Sequence, residues 1–326
     1  MNAHPEATTV IVATRDRVDL LTECLDSLLA QTQPPAEIVV VDSAPSCDAT
    51  ERMLATQKRF GKIVYVREHR PGLAVAHNRA LADVQTPLVA FTDDDVIADP
   101  RWIAQLVVAF SAAGDVACVT GRIMPRELET QAQIWLEGYA GFSKGEEFRV
   151  FDLEEHRPDD PLFPFTAGSL GSGANMAFRT ETLRGMGGFD PALGAGTRAK
   201  GGDDLSAFFE VVVRGHRLVY QPTAVVSHLH RRSYDDLRRQ VYGYGLGLTA
   251  YLTKCALDRP RLAARTVHRL PRAAAHVLSR RSARNTRTAS DFPRELAWIE
   301  RRGMLAGPLA YVRSRRSERR QMQGTA

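Results

Sequence analysis

The sequence has no run of the ~18 apolar residues that a helix needs to cross a bilayer, so no membrane span is expected. Its cysteines, Cys24, Cys47, Cys118 and Cys255, stand far apart and form no C-x-x-C pair. That spacing argues against a structural zinc site or a disulfide framework and fits a reducing compartment. The opening MNAHPEATT has neither a cationic start nor an apolar stretch, so no secretory leader is expected and a cytoplasmic location is. The glycine-rich Gly168–Gly173 is not followed by Gly-Lys-Ser/Thr, which removes the phosphate-loop reading of that stretch.

What is present is a chain of 326 residues, 44% apolar and 25% charged, enough for one large or two ordinary domains around a real core. The net charge of +5 conceals a division. From Lys254 to Ala326 there are 18 Lys and Arg against 5 Asp and Glu, a net of +13, which leaves −8 on the rest. A basic tail on an acidic body suits an anionic partner, and it suits equally a helical cap drawn onto that body. Stretches such as Arg261–Arg265 and Leu270–Ala273 mix Arg with Leu and Ala, as helices lying on anionic membrane do. No nucleic-acid module is recognisable, so a nucleic-acid partner is not expected.

The first half alternates strands and helices. Apolar runs at Thr9–Ala13, Glu37–Val41, Ile63–Val66 and Leu88–Phe91 read as strands, with helices over Val18–Ala30, after Asp48 and over Leu73–Asp83. This order predicts an α/β fold with a parallel sheet covered on both faces, and ligands gather at the carboxyl ends of such strands. Arg15, Asp42, Arg67 and Asp93-Asp94-Asp95 all follow predicted strand ends. Residues 122–173 look loop-rich and aromatic, as a lid or substrate surface would. Helix and strand return at Leu205–Arg214 and Arg217–Ser227. Beyond Tyr234 the chain reads as helical, divided by Pro260, Pro271, Pro293 and Pro308, with a boundary near residues 235–255.

Asp93, Asp94 and Asp95 after a buried strand repel one another unless a cation neutralises them, and hard divalent ions take oxygen ligands. A solvated turn with Asp99 capping a helix at Pro100 is the plainer reading. Asp99 does that work alone, so it leaves the triple aspartate unexplained.

With Ala13-Thr14-Arg15-Asp16-Arg17, Val39–Ser46, Arg67–Leu73 with Asn78-Arg79, and the D-x-D of Asp93 and Asp95, the chain resembles an inverting family 2 glycosyltransferase of the GT-A fold, in a branch common among actinobacteria. Gly171–Arg179, Gly187–Asp190 and Gly201-Gly202-Asp203-Asp204-Leu205 extend the resemblance, which spans about residues 8–253. Ser43 stands where that family usually has Asn, and Asp203 where it more often has Glu.

The resemblance implies a nucleotide-diphospho-sugar transferase with a mixed sheet, residues 1–240 forming the catalytic domain and 241–326 a basic helical extension. The nucleotide-sugar half would occupy about 1–122 and the acceptor half 123–240. Thr14, Arg15, Asp42, Arg67, Gly72, Asn78, Asp93 and Asp94 would bind the nucleotide-sugar, with Asp93 and Asp95 holding Mn2+ or Mg2+. Asp204 would be the general base and Asp203 its positioning or capping neighbour, the reverse assignment staying open. His228 resembles a late metal-binding histidine. His228 and His230 share a strand face, so either ring can look toward the site, or the pair can lie at the surface beside Arg231 and Arg232. Asn175 and Trp135 are candidates on the acceptor side, although Trp135, Tyr139 and Phe142 also fit a helical core stripe. The acceptor is open: a small molecule, a lipid-linked sugar or an envelope glycan, the last two suiting a peripheral place on the inner face of the membrane. Two other classes remain in view, a nucleotidyltransferase that makes nucleotide-sugars and a non-catalytic nucleotide-sugar-binding protein. The first would usually carry a Gly-rich loop after strand one, which Ala13–Arg17 lacks, and the intact acids speak against the second.

Overall fold

The computed structural model describes residues 6–113, 115–266 and 292–324. β1 (Thr8–Thr14) lies between β2 (Glu37–Ser43) and β4 (Leu88–Asp93), with β3 (Val64–Glu68) beyond β2, all parallel. β1 is buried on both faces, so its sequence shows an unbroken apolar run instead of alternation. Val10 and Val12 join one core with Leu21, Leu25 and Leu28 of α1 (Val18–Leu29) and Trp102 and Leu106 of α4 (Trp102–Phe110). Ile11 joins the opposite core with Ala74, Ala76 and Ala80 of α3 (Leu73–Leu81) and Phe178, Phe208 and Phe209.

Beyond β4 the sheet changes direction. β8 (Asn175–Arg179) runs antiparallel between β4 and β6 (Val116–Pro125), and β9 (Arg217–His228) lies parallel to β6. β5 (Val96–Ala98) and β7 (Arg149–Phe151) pair antiparallel with β9. The expected mixed sheet flanked by helices is thus present, in the order β3-β2-β1-β4-β8-β6-β9-β5.

Three local expectations change. Asp48 stands at the N-cap of α2 (Ala49–Thr56), yet its carboxylate pairs with Arg52 at 3.1 Å and caps nothing. Asp99 takes the Arg101 N–H at 2.9 Å, and the helix starts at Trp102 instead of Pro100. The span 122–173 is not all loop, because α5 (Gln131–Ala140) forms inside it on a Thr130/Gln133 capping box. α6 (Thr180–Gly185) and α7 (Asp203–Val213) complete the body.

α8 (Tyr234–Asp258) runs unbroken through residues 235–255, where a boundary is expected from the sequence. Pro260 opens α9 (Pro260–Thr266) and Pro293 precedes α10 (Arg294–Gly324), as predicted, while Pro271 and the stretch Leu270–Ala273 lie outside the described residues. Pro308 corrects the expectation, for it lies inside α10 without dividing it. A proline there cannot donate to the carbonyl four residues back, at Met304. The Thr249 hydroxyl of α8 donates to that carbonyl at 2.7 Å instead.

α10 packs along α8 on glycine. A Cβ at Gly303 would collide with the Tyr242 carbonyl, one at Gly307 with Thr249 Oγ1, and one at Gly245 with the Glu300 carbonyl. Gly307→Leu is therefore expected to cost about 1–3 kcal/mol in chemical denaturation, as overpacked interfaces do. Gly243→Ala is the control, since its Cβ would meet only Lys200 Cβ at 3.9 Å, and it should leave stability level or slightly raised. Equal midpoints for both variants would show that α10 does not dock this way.

Candidate active site

The strand register gathers the predicted residues. Thr14 stands beside Asp42, Asp42 beside Arg67, and Ala13 beside Asp93, all at the carboxyl ends of β1 to β4. A cleft of ≈1550 Å³ opens over these ends and continues past Gly173 and Asp204 to Tyr244 of α8 and Glu300 of α10. Single small-molecule pockets hold roughly 300–1,000 Å³, so there is room for two substrates.

The three aspartates part company. Asp94 Oδ2 accepts the Thr14 hydroxyl at 2.7 Å, and its Oδ1 accepts Arg17 Nη1 at 2.6 Å. Arg17 also reaches Asp95 Oδ2 at 2.9 Å, while His228 Nε2 lies 3.3 Å from Asp95 Oδ1. Burial alone would raise the Asp95 carboxyl, but His228 and Arg17 outweigh it and hold it down at about 2. At Asp93, burial and the Asp95 charge outweigh the pull of His228 and Arg17 and push the carboxyl up to about 7. Asp93, Asp95 and His228 each offer a ligand atom within 4.8 Å of the others. Two carboxylates and an imidazole suit a divalent cation such as Mn2+ or Mg2+, and the crowding of negative charge gives that cation a reason to bind.

β9 delivers His228, which pairs in register with Val96 of β5 and Pro125 of β6. Its Nδ1 lies 3.0 Å from Nδ1 of the buried His230, whose Nε2 lies 2.9 Å from Glu137 Oε2 on α5. A carboxylate only accepts, so His230 carries its proton on Nε2 and accepts at Nδ1. His228 must then donate from Nδ1, and the Asp95 carboxylate 3.3 Å from its Nε2 favours a second proton there, which a bound cation would displace. Burial pulls the His228 imidazolium pKa down, but the bond to Asp95 and the charges of Asp95 and Asp93 raise it on balance.

The second acidic pair opens α7 after Gly202, whose φ of +87° is a backbone conformation that glycine tolerates. Asp204 Oδ2 accepts the Gly173 N–H at 2.9 Å and its carboxyl faces the cleft. Burial raises its pKa against the pull of the Leu205 and Gly173 amides and the Lys144 charge. Asp203 is buried against Gly194 at the helix start.

The predicted residues fall into two groups. Thr14, Arg15, Gly72, Asp93, Asp94, Asp95, Asp203, Asp204 and His228 line the cleft. Asp42 is buried at its edge, with Oδ2 accepting the Tyr65 hydroxyl at 3.2 Å and Oδ1 lacking a donor among the described residues. Arg67 turns aside to the Cys47 carbonyl at 3.4 Å and to Glu51. Asn78 is spent on both backbone groups of Phe189, at 2.7 and 2.8 Å. Asn175 is equally committed, to Trp102 Nε1 at 2.8 Å and to the Arg122 and Ala224 carbonyls at 2.9 Å. Trp135 packs edge-on against Tyr234, whereas Tyr139 and Phe142 of the same stripe line the cleft. Sequence reasoning missed Arg17, Lys144, Glu137 and His77 as cleft residues. Arg17 had a signal, two residues past Arg15 at the same strand end. His77 had none; it is wedged between Phe91 and Phe189, and burial pushes it down to about 3.

Residues 4–242 match the family described as "Glycosyltransferase like family 2". The chain belongs to glycosyltransferase family 2. It is 26% identical over 237 residues to the pre-mycofactocin glycosyltransferase of Mycobacterium tuberculosis (strain ATCC 25618 / H37Rv), covering 72% of this chain and 46% of that protein. The chain therefore spans about half the length of that relative. It is also 26% identical over 237 residues to the glucosyl-dolichyl phosphate glucuronosyltransferase of Haloferax volcanii, covering 67% of this chain and 68% of the other. Among solved structures, mannosyltransferase PcManGT from Pyrobaculum calidifontis in complex with GDP-Man and Mn2+ superposes with a TM-score of 0.57 at 21% identity, over 93% of this chain and 87% of that one. S. aureus TarS gives a TM-score of 0.51 at 15% identity, over 77% and 43%. The fold is GT-A.

The acidic pair yields a prediction about stability. Burial and the Asp204 charge push the Asp203 carboxyl up to about 7. The native state then keeps a proton that the unfolded chain releases near ~3.9, so stability falls as pH rises from about 4 to about 7. Asp203→Asn should flatten that decline and melt above the wild type at pH 8, by roughly 2–4 °C for each kcal/mol removed. Parallel melting curves across this range would show that Asp203 holds no such proton.

Proposed function

We propose that the chain transfers a sugar from a nucleoside-diphosphate-sugar to an acceptor hydroxyl, with inversion, by metal-assisted single displacement. The observation that carries this reading is one cleft holding both the Asp93, Asp95 and His228 ligand set and the separate carboxylate of Asp204. The relatives act on sugars by their names, and PcManGT was solved with GDP-Man and Mn2+.

In this reading the nucleoside lies across the ends of β1 and β2. Asp42 Oδ1, buried and short of a donor, accepts an N–H of the base, and Arg15 and Gly72 border the rest. Thr14 and Arg17 keep Asp94 and Asp95 in place, while Asp93, Asp95 and His228 hold the cation. A bound divalent ion would supply positive charge against the departing diphosphate. Asp204, with its pKa raised and its Oδ2 steered by the Gly173 amide, takes the acceptor hydroxyl's proton. Asp203 positions the start of α7. The acceptor enters from the α5, α8 and α10 side, where Tyr139, Phe142 and Tyr244 offer faces for a sugar ring or an apolar aglycone. Residues 1–240 would then be the catalytic domain, with 241–326 an extension that completes its wall.

Asp204→Asn should lower turnover about 10²–10⁴-fold, while calorimetry with a nucleoside diphosphate and Mn2+ shows unchanged binding. Wild-type turnover in that variant, or a product that retains the donor's anomeric configuration by NMR, would overturn the mechanism. The histidine relay makes a second claim. Glu137→Ala and His230→Ala should each weaken Mn2+ affinity about 10–100-fold by calorimetry, and Glu137→Gln, which still accepts from His230, should restore most of it. Undiminished affinity in all three would remove Glu137 and His230 from the metal site.

A further inference from the structure

Away from the cleft, the exposed large apolar residues of α10 gather on one stripe. Trp298, Leu305 and Leu309 are 63%, 81% and 53% exposed. At 3.6 residues per turn, positions i, i+7 and i+11 share a face. Arg302, Arg313, Arg316 and Arg320, all exposed, continue the same stripe in steps of three and four. The opposite stripe, with Leu296, Glu300, Gly303, Gly307 and Tyr311, is buried. Glu295, beside this face on the same helix, is already occupied by Tyr234 at 2.8 Å and Arg238 at 3.4 Å. The face therefore combines apolar side chains with unbalanced positive charge along ~33 Å of helix.

A purely solvated face would have no use for a tryptophan and two leucines in line, and an apolar protein interface would be depleted in charge at its centre. Indole, leucine and guanidinium on one stripe match the headgroup level of a bilayer, where Trp sits across the boundary and Arg extends to phosphate. We propose that α10 lies on anionic membrane through Trp298, Leu305, Leu309, Arg302, Arg313 and Arg316. The charge division gives the contact one orientation, because the first 253 residues carry a net −8 that an anionic surface repels. Glu300 lines the cleft from the other side of the same helix, so the contact holds the cleft about one helix diameter, ~10 Å, from the lipid headgroups.

The test uses the full chain with vesicles of phosphatidylcholine alone or with one-third phosphatidylglycerol. Expected are sedimentation with the anionic vesicles, little with the neutral ones, and release by added salt, each arginine contributing about fivefold to binding. Leu305→Glu with Leu309→Glu should weaken partitioning at least tenfold, with melting temperature and nucleoside-diphosphate binding unchanged. Should that pair disturb folding, Arg302→Gln, Arg313→Gln and Arg316→Gln together read the same face and should show the same loss. Tryptophan emission should shift to the blue on anionic vesicles, and Trp298→Phe should abolish that shift. No sedimentation, or equal sedimentation of wild type and variants, would overturn the proposal. So would light scattering in which the wild type is a dimer and the variants are monomers, since the face would then be covered by a second copy.

Discussion

Asp93, Asp94 and Asp95 close a strand buried on both faces, and three neighbouring carboxylates keep their charges only where cations surround them. The loop after β1 supplies Arg17, which spans Asp94 and Asp95 at 2.6 and 2.9 Å. The far end of β9 supplies His228 against Asp95. Asp93 is left with a carboxyl pushed up to about 7, an unmet demand for positive charge at the lip of the cleft. The reversal of strand direction at β8 serves this arrangement. It lets β9 finish beside β5, with His228 opposite Val96, immediately after the aspartates.

Parts of this were readable in the sequence because they resist a purely structural explanation. A capped turn accounts for Asp99 and leaves Asp93, Asp94 and Asp95 over, so a cation was the expectation. Doubly buried strands announce themselves by unbroken apolar runs, and their ends located Thr14, Asp42 and Asp93. Polar residues with two plausible uses were not readable. Asn78 and Asn175 sit in the right motifs, yet every hydrogen-bonding group on each amide is spent holding Phe189 or three neighbouring strands and helices. Glu137 stands in a helix with no motif around it, and it matters only because α5 passes 2.9 Å from His230. Pro308 looked like a helix break for a related reason. The Thr249 hydroxyl that replaces its missing donor comes from another helix, 55 or more residues earlier in the chain.

The C-terminal helices change what the charge division means. The residues from Lys254 onward looked like an appendage outside the motif-bearing fold, but α10 is pressed onto α8 where glycine lets the backbones approach. Through Glu300 it forms part of the cleft wall, next to Tyr244, Gly247 and Leu248 of α8. The family match ends at residue 242, so this wall lies wholly outside the shared span. What the chain has in common with its relatives therefore concerns the strand ends and the aspartates, where the proposed donor and cation lie. The opposite wall lies past the end of that match, while the superposition on PcManGT, over 93% of this chain, extends beyond it. On the proposed reading, selectivity for an acceptor is to be sought in Tyr139 and Phe142 together with α8 and α10, the last being the helix whose outer face carries Trp298 and the arginines. A change on the inner stripe of that helix alters the cleft, whereas one on the outer stripe alters only what the protein rests against. The two roles are separable by substitution because a helix presents its two sides to different surroundings.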